Sequence, residues 1–80
     1  MSGTYTVTSP TDEWTWIFHP TGEVYGEANG TPECGEWYYT SSEFVVASAA
    51  WVRVFRGQLY REGKGFRLEG ESETYYLKPK

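Results

Sequence analysis

Cys34, His19 and three alternating carboxylates, Glu69, Glu71 and Glu73, are the side chains of this 80-residue chain best suited to chemistry. Cys34 stands between Glu33 and the pair Gly35-Glu36. Neighbouring carboxylates disfavour the thiolate that nucleophilic attack requires, and no second histidine is present to activate it. One cysteine and one histidine cannot assemble a structural zinc site, and no internal disulfide can form. His19 adjoins a turn at which it would pair with Glu23 as an exposed ion pair. The Glu69, Glu71 and Glu73 series reads as the solvated edge of a strand. No phosphate-binding loop, metal-ligand spacing or nucleophile elbow occurs. These residues predict a protein without catalytic activity, cofactor or bound metal.

Binding chemistry is better represented. Arg53, Arg56, Arg61, Lys64 and Arg67 fall near Tyr60 and Phe66, the combination of cations and rings that single-stranded nucleic acid uses. A net charge of −4 and a pI near 4.8 oppose that use, so a nucleic-acid partner is disfavoured. Charge is unevenly distributed: residues 1–50 carry −7 with no Lys or Arg, and residues 51–80 carry +3. Glu27, Glu33 and Glu36 in the first half are expected to form an acidic face able to dock on a basic partner.

Something must hold these groups in place without staples. Aromatic residues make up 19 % of the chain, and large rings are the densest source of buried apolar area for so short a chain. Alternation with period two, punctuated by Gly, Pro, Asn and Ser, predicts short antiparallel strands in one all-β domain over residues 1–80. A three-residue turn at Pro20-Thr21-Gly22, with Gly22 left-handed, sets Phe18 opposite Val24 and Trp16 opposite Gly26. Asn29-Gly30 is a strong hairpin signal, better explained as a turn than as part of a glycosylation acceptor ending at Thr31; closing it sets Val24 opposite Gly35. Pro32 then requires its missing donor to face an unpaired side. A tip at Ser41-Ser42 pairs Tyr39 with Phe44 and Trp37 with Val46, which puts Trp37 and Tyr39 on the inner face. Residues 43–56 also fit a helix, because Thr40-Ser41-Ser42-Glu43 matches a capping box. Such a helix would be apolar almost all round and rich in valine, so two strands are preferred. An Arg61-Glu62-Gly63-Lys64-Gly65 turn and a last strand with Tyr75 and Leu77 inward complete seven or eight strands, an up-and-down meander closing as a small barrel or curved sandwich. Gly3-Thr4-Tyr5 and the spacing of Phe18, Gly22, Val24, Gly26, Gly35 and Trp37 resemble the meanders of calycin-type barrels such as the avidins. The resemblance covers about half the chain and implies a barrel, with no ligand attached to it.

Parity then sorts the rings. Trp14, Trp16, Phe18, Trp37, Phe44 and Phe66 fall inward, whereas Tyr25, Tyr38, Tyr60 and Tyr76 fall outward, where a hydroxyl tolerates water. Trp51, Arg53 and Phe55 alternate with Val52 and Val54, so a strand here would be apolar on both faces and would suit an interface. The expected binding surface is therefore Tyr25, Tyr38, Trp51, Arg53, Phe55, Tyr60 and Tyr76. It points to an interaction module that binds a protein or itself, as a homodimer or as an acidic binder or inhibitor of a basic partner. The alternative is a small-ligand or carbohydrate binder using surface or barrel-mouth rings such as Trp14. No apolar run is long enough to span a membrane as a helix and the start lacks signal-peptide features, so no membrane partner and a cytoplasmic location are expected.

Overall fold

The computed structural model of the chain describes all residues except Asn29, Gly30 and Val52, and the backbone alone of Glu27 and Ala28. Eight strands follow one another: β1 (Gly3–Thr8), β2 (Glu13–Phe18), β3 (Glu23–Ala28), β4 (Thr31–Tyr39), β5 (Phe44–Ala47), β6 (Phe55–Glu62), β7 (Gly65–Glu69) and β8 (Thr74–Pro79). Each pairs antiparallel with the next, and β8 returns to β1 to close the barrel. Closure leaves neither terminal strand with an open edge.

The turns set the registers that the spacing predicts. Gly22 has φ +101°, which only glycine adopts readily, and the hairpin it closes pairs Phe18 with Val24 and Trp16 with Gly26. The next hairpin sets Val24 opposite Gly35 and runs to Ala28 opposite Thr31; the intervening Asn29-Gly30 lies outside the described residues. Pro32 sits beyond the reach of β5, whose pairing with β4 begins at Glu36, so its missing donor interrupts no ladder. At the following tip the Thr40 hydroxyl accepts the N–H of Glu43 at 2.9 Å, while the Thr40 N–H donates to the Glu43 carbonyl at 2.8 Å. The capping-box contact is thus made, but it closes a hairpin that pairs Tyr39 with Phe44 and Trp37 with Val46.

Alternation fills the interior. Val7, Trp16, Phe18, Val24, Phe44, Val46, Leu68 and Leu77 are each at most 2 % exposed and pack with Tyr75 into one core. Burying a side chain of this size stabilises by roughly 1.5–3 kcal/mol. Trp16 crosses to Gly26, where a side chain would meet both Trp16 and Trp51; the absent Cβ is what lets two indoles lie over β3. A Cβ at Gly57 or Gly65 would collide with the carbonyl of Glu69 or Leu77, respectively, so close strand approach at these points also requires glycine.

Two expectations are corrected. Ser48 to Val54 forms no strand among the described residues. The alternating apolar residues there imitate one, but Trp51 is drawn inward to stack on Trp16 at 6.2 Å and 18°. Phe55, the first residue of β6, likewise faces the core, so the pattern marks a plug and its anchor and not a strand buried on both faces; Val52 lies outside the described residues. Tyr39 has inward parity yet is 59 % exposed, because it ends β4 at the barrel rim.

Candidate functional site

The binding residues expected from the spacing do not form one surface. Closing the barrel distributes them over two outer faces and one mouth, with Tyr38 between the faces.

On the first outer face, β2, β3 and β4 place Ile17, Tyr25 and Cys34 side by side in one row. Ile17 is 40 % and Tyr25 38 % exposed. One step along, Glu23 stands directly opposite Glu36, and like charges in opposed strand positions repel. The Glu23 carboxylate is oriented by three donors: Thr21 Oγ1 at 3.4 Å, Tyr25 Oη at 3.5 Å and Cys34 Sγ at 3.8 Å. The Glu23 charge in turn, followed by the Cys34 thiol, holds the Tyr25 hydroxyl above the usual tyrosine pKa. Neither Glu23 nor Glu36 has an ion-pair partner among the described residues. His19 meets Glu23 only through the backbone, its N–H donating to the Glu23 carbonyl at 2.9 Å. Its ring instead packs edge-on against Tyr25 at 5.1 Å.

The three-membered acidic face needs correction. Glu33 and Glu36 are three positions apart on one strand, and a period of two sends them to opposite faces. Glu33 lies opposite the inward Gly26, and Glu36 lies opposite the outer Glu23. Glu27 pairs with Pro32, and its side chain lies outside the described residues. Glu23, expected only as a partner for His19, takes the place of Glu33.

Tyr38 continues this face of β4 toward β5. It is the cross-strand neighbour of Val45, which Arg56 flanks on the other side. Val45 has outward parity yet is only 1 % exposed. Arg56 is tied to Glu43 through Nη2 at 2.7 Å and Nε at 3.1 Å.

The second outer face, on β6, β7 and β8, aligns Tyr60, Arg67 and Tyr76. The Arg67 guanidinium lies 4.9 Å from the Tyr60 ring centroid. It pairs with Glu62 at 3.1 Å, and its Nε approaches Glu69 to 2.9 Å off the line of the N–H bond. The basic cluster is therefore dispersed: Arg67 and Arg56 are paired on the barrel wall, Arg61 lies over Phe66 at 5.2 Å, and Arg53 is at the mouth.

At that mouth Phe55 is in ring contact with Trp14, Trp16, Trp51 and Tyr75, and Trp51 stacks on Trp16. Arg53 Nη1 donates to Glu73 at 2.9 Å and to Tyr75 Oη at 3.1 Å, and Tyr75 Oη donates to Glu73 at 2.8 Å. Burial, and then the bond to Glu73, raise the Tyr75 pKa above its ordinary value against the opposing effect of Arg53.

No protein-family model, curated protein or solved structure matches the chain.

Proposed function

We propose that the protein is a non-enzymatic interaction module that docks a basic protein partner on the outer face of β2–β4. The carrying observation is the opposed pair Glu23 and Glu36: two exposed glutamates in directly opposed positions on strands that carry no lysine or arginine. A partner's cation bridging them would convert a repulsion within the fold into an attraction between proteins. Ile17 and Tyr25 beside them supply the apolar centre that interfaces place inside a charged rim. The absence of Lys and Arg before Arg53 favours a partner of opposite sign over a second acidic face of the same chain. A cytoplasmic location, where the exposed Cys34 stays reduced, is part of this proposal. The packed interior leaves a carbohydrate reading only rings at the surface and mouth.

Capture from a native extract, compared between the wild type and Glu23→Lys/Glu36→Lys, tests this. Proteins retained by the wild type should be basic, should elute with salt on the scale set by Debye screening, and should be absent with the reversed charges. Unchanged capture by a folded double variant would overturn the assignment.

A further inference from the structure

The mouth holds more than is needed to close a barrel. Phe55 presents its ring to the Arg53 guanidinium at 5.5 Å, and the same guanidinium is met by the Glu73 carboxylate and the Tyr75 hydroxyl. An aromatic face, a carboxylate and a hydroxyl converging on one planar cation are the components of a guanidinium or ammonium receptor. The cation that fills it comes from the Ser48 to Val54 segment, which has no strand pairing among its described residues. Ser48 Oγ holds the segment to the Cys34 carbonyl at 2.8 Å. Arg53 itself remains half exposed, its side chain at 49 %, so it rests on the site without being enclosed. Trp51, whose ring lies 6.1 Å from that of Phe55, borders the site with a buried Nε1 that has no hydrogen-bond partner among the described residues.

We propose that this mouth is a binding site for an arginine side chain of a polypeptide and that Arg53 occupies it in cis as a tethered competitor. Phe55 stacks the guanidinium, Glu73 neutralises it, and Tyr75 fixes its plane while positioning Glu73 through their shared hydrogen bond. The tether gives Arg53 a high local concentration, so an incoming arginine binds weakly until Arg53 is displaced. This site is separate from the Glu23 and Glu36 face and stands or falls without it.

Tryptophan fluorescence titrated with N-acetyl-arginine amide, and with the uncharged citrulline analogue, provides the test. Arg53→Ser should bind the arginine probe about tenfold more tightly than the wild type, the factor lost with the tethered competitor. Neither protein should respond to citrulline, and Arg53→Ser/Glu73→Gln should lose the response. A folded Arg53→Ser that shows no saturable change, or that responds equally to citrulline, would overturn the proposal. If Arg53→Ser does not fold, the wild-type Trp51 Nε1 proton resonance decides: it should shift as the arginine probe displaces Arg53, and an unmoved resonance would overturn the proposal equally.

Discussion

The two outer faces of the barrel use the same device, an outward tyrosine in the middle of a strand, and treat charge in opposite ways. On β6–β8 the Tyr60, Arg67 and Tyr76 row is completed from within the chain, with Glu62 and Glu69 both against Arg67. On β2–β4 the Ile17, Tyr25 and Cys34 row borders Glu23 facing Glu36. A row whose central cation is paired from within the chain has little left at that point to offer a partner. A sheet that sets Glu23 opposite Glu36, with no ion-pair partner for either among the described residues, places like charges in opposed strand positions, and such conflicts concentrate where function lies. The exposed tyrosines are alike in accessibility, at 38 % for Tyr25, 42 % for Tyr60 and 40 % for Tyr76, so charge satisfaction, and not exposure, separates the two faces.

Removing the centre of the satisfied face should produce the largest change. Arg67→Ala loses the contact with Tyr60, worth about 0.5–1 kcal/mol at a partly exposed site. It also loses two ion pairs, each worth about 0.2–1 kcal/mol before screening. With the side chain 30 % exposed, a loss of about 1–2 kcal/mol is expected, read as a lower urea midpoint with an unchanged denaturant slope. Partner capture should remain at the wild-type level, because the affected face is not the one that docks. A drop in capture without a drop in stability would reverse the roles assigned to the two faces.

Parity was legible from the chain because period-two alternation and turn geometry constrain each other. A left-handed Gly22 and a tip at Ser41-Ser42 leave one register each, and the observed pairs Phe18 to Val24 and Tyr39 to Phe44 are those registers. What lies beside what, three strands along, was not legible. Tyr60, Arg67 and Tyr76 come together only after two successive registers are set, and no local pattern marks Arg67 as the residue between two tyrosines. Local signals also serve more than one structure. Thr40 makes a capping bond in a hairpin, and the apolar alternation around Trp51 belongs to a plug that stacks on Trp16. Glu33 and Glu36 are near along the chain, but three positions on one strand put them on opposite faces.

Alkaline titration probes the docking face more gently. Tyr25 and Tyr75 both have pKa values raised above the ordinary 10.0, the first chiefly by the Glu23 charge and the second chiefly by burial. The unfolded chain therefore releases these protons first, and the folded chain holds more of them. Their contribution to stability is fully present below about pH 10 and is lost as pH rises through the raised folded values. A fall in the urea midpoint is expected across that window. Glu23→Gln should move the Tyr25 absorbance transition near 295 nm to lower pH, since it removes the leading cause of the shift. A Tyr25 transition that stays in place would mean that the Glu23 carboxylate does not act on this hydroxyl.

The smallest effect bears most directly on the difference between the faces, because its sign is unusual. Most surface substitutions are neutral or mildly destabilising, but Glu36→Gln removes one of two opposed like charges while keeping the shape of the side chain. Stability should rise by about 0.3 kcal/mol, the low end of what a cross-strand pair contributes. The gain should shrink in high salt, since exposed charges are screened within about 10 Å at 0.1 M ionic strength and over shorter distances above it. Arg67→Ala, by contrast, should remain destabilising in salt, because its stacking on Tyr60 is partly dispersive. Stability curves for both variants at low and high salt measure the comparison directly. If Glu36→Gln were neutral or destabilising at low salt, the carboxylates would not be in conflict, and the physical basis for seeking a basic partner on β2–β4 would be gone.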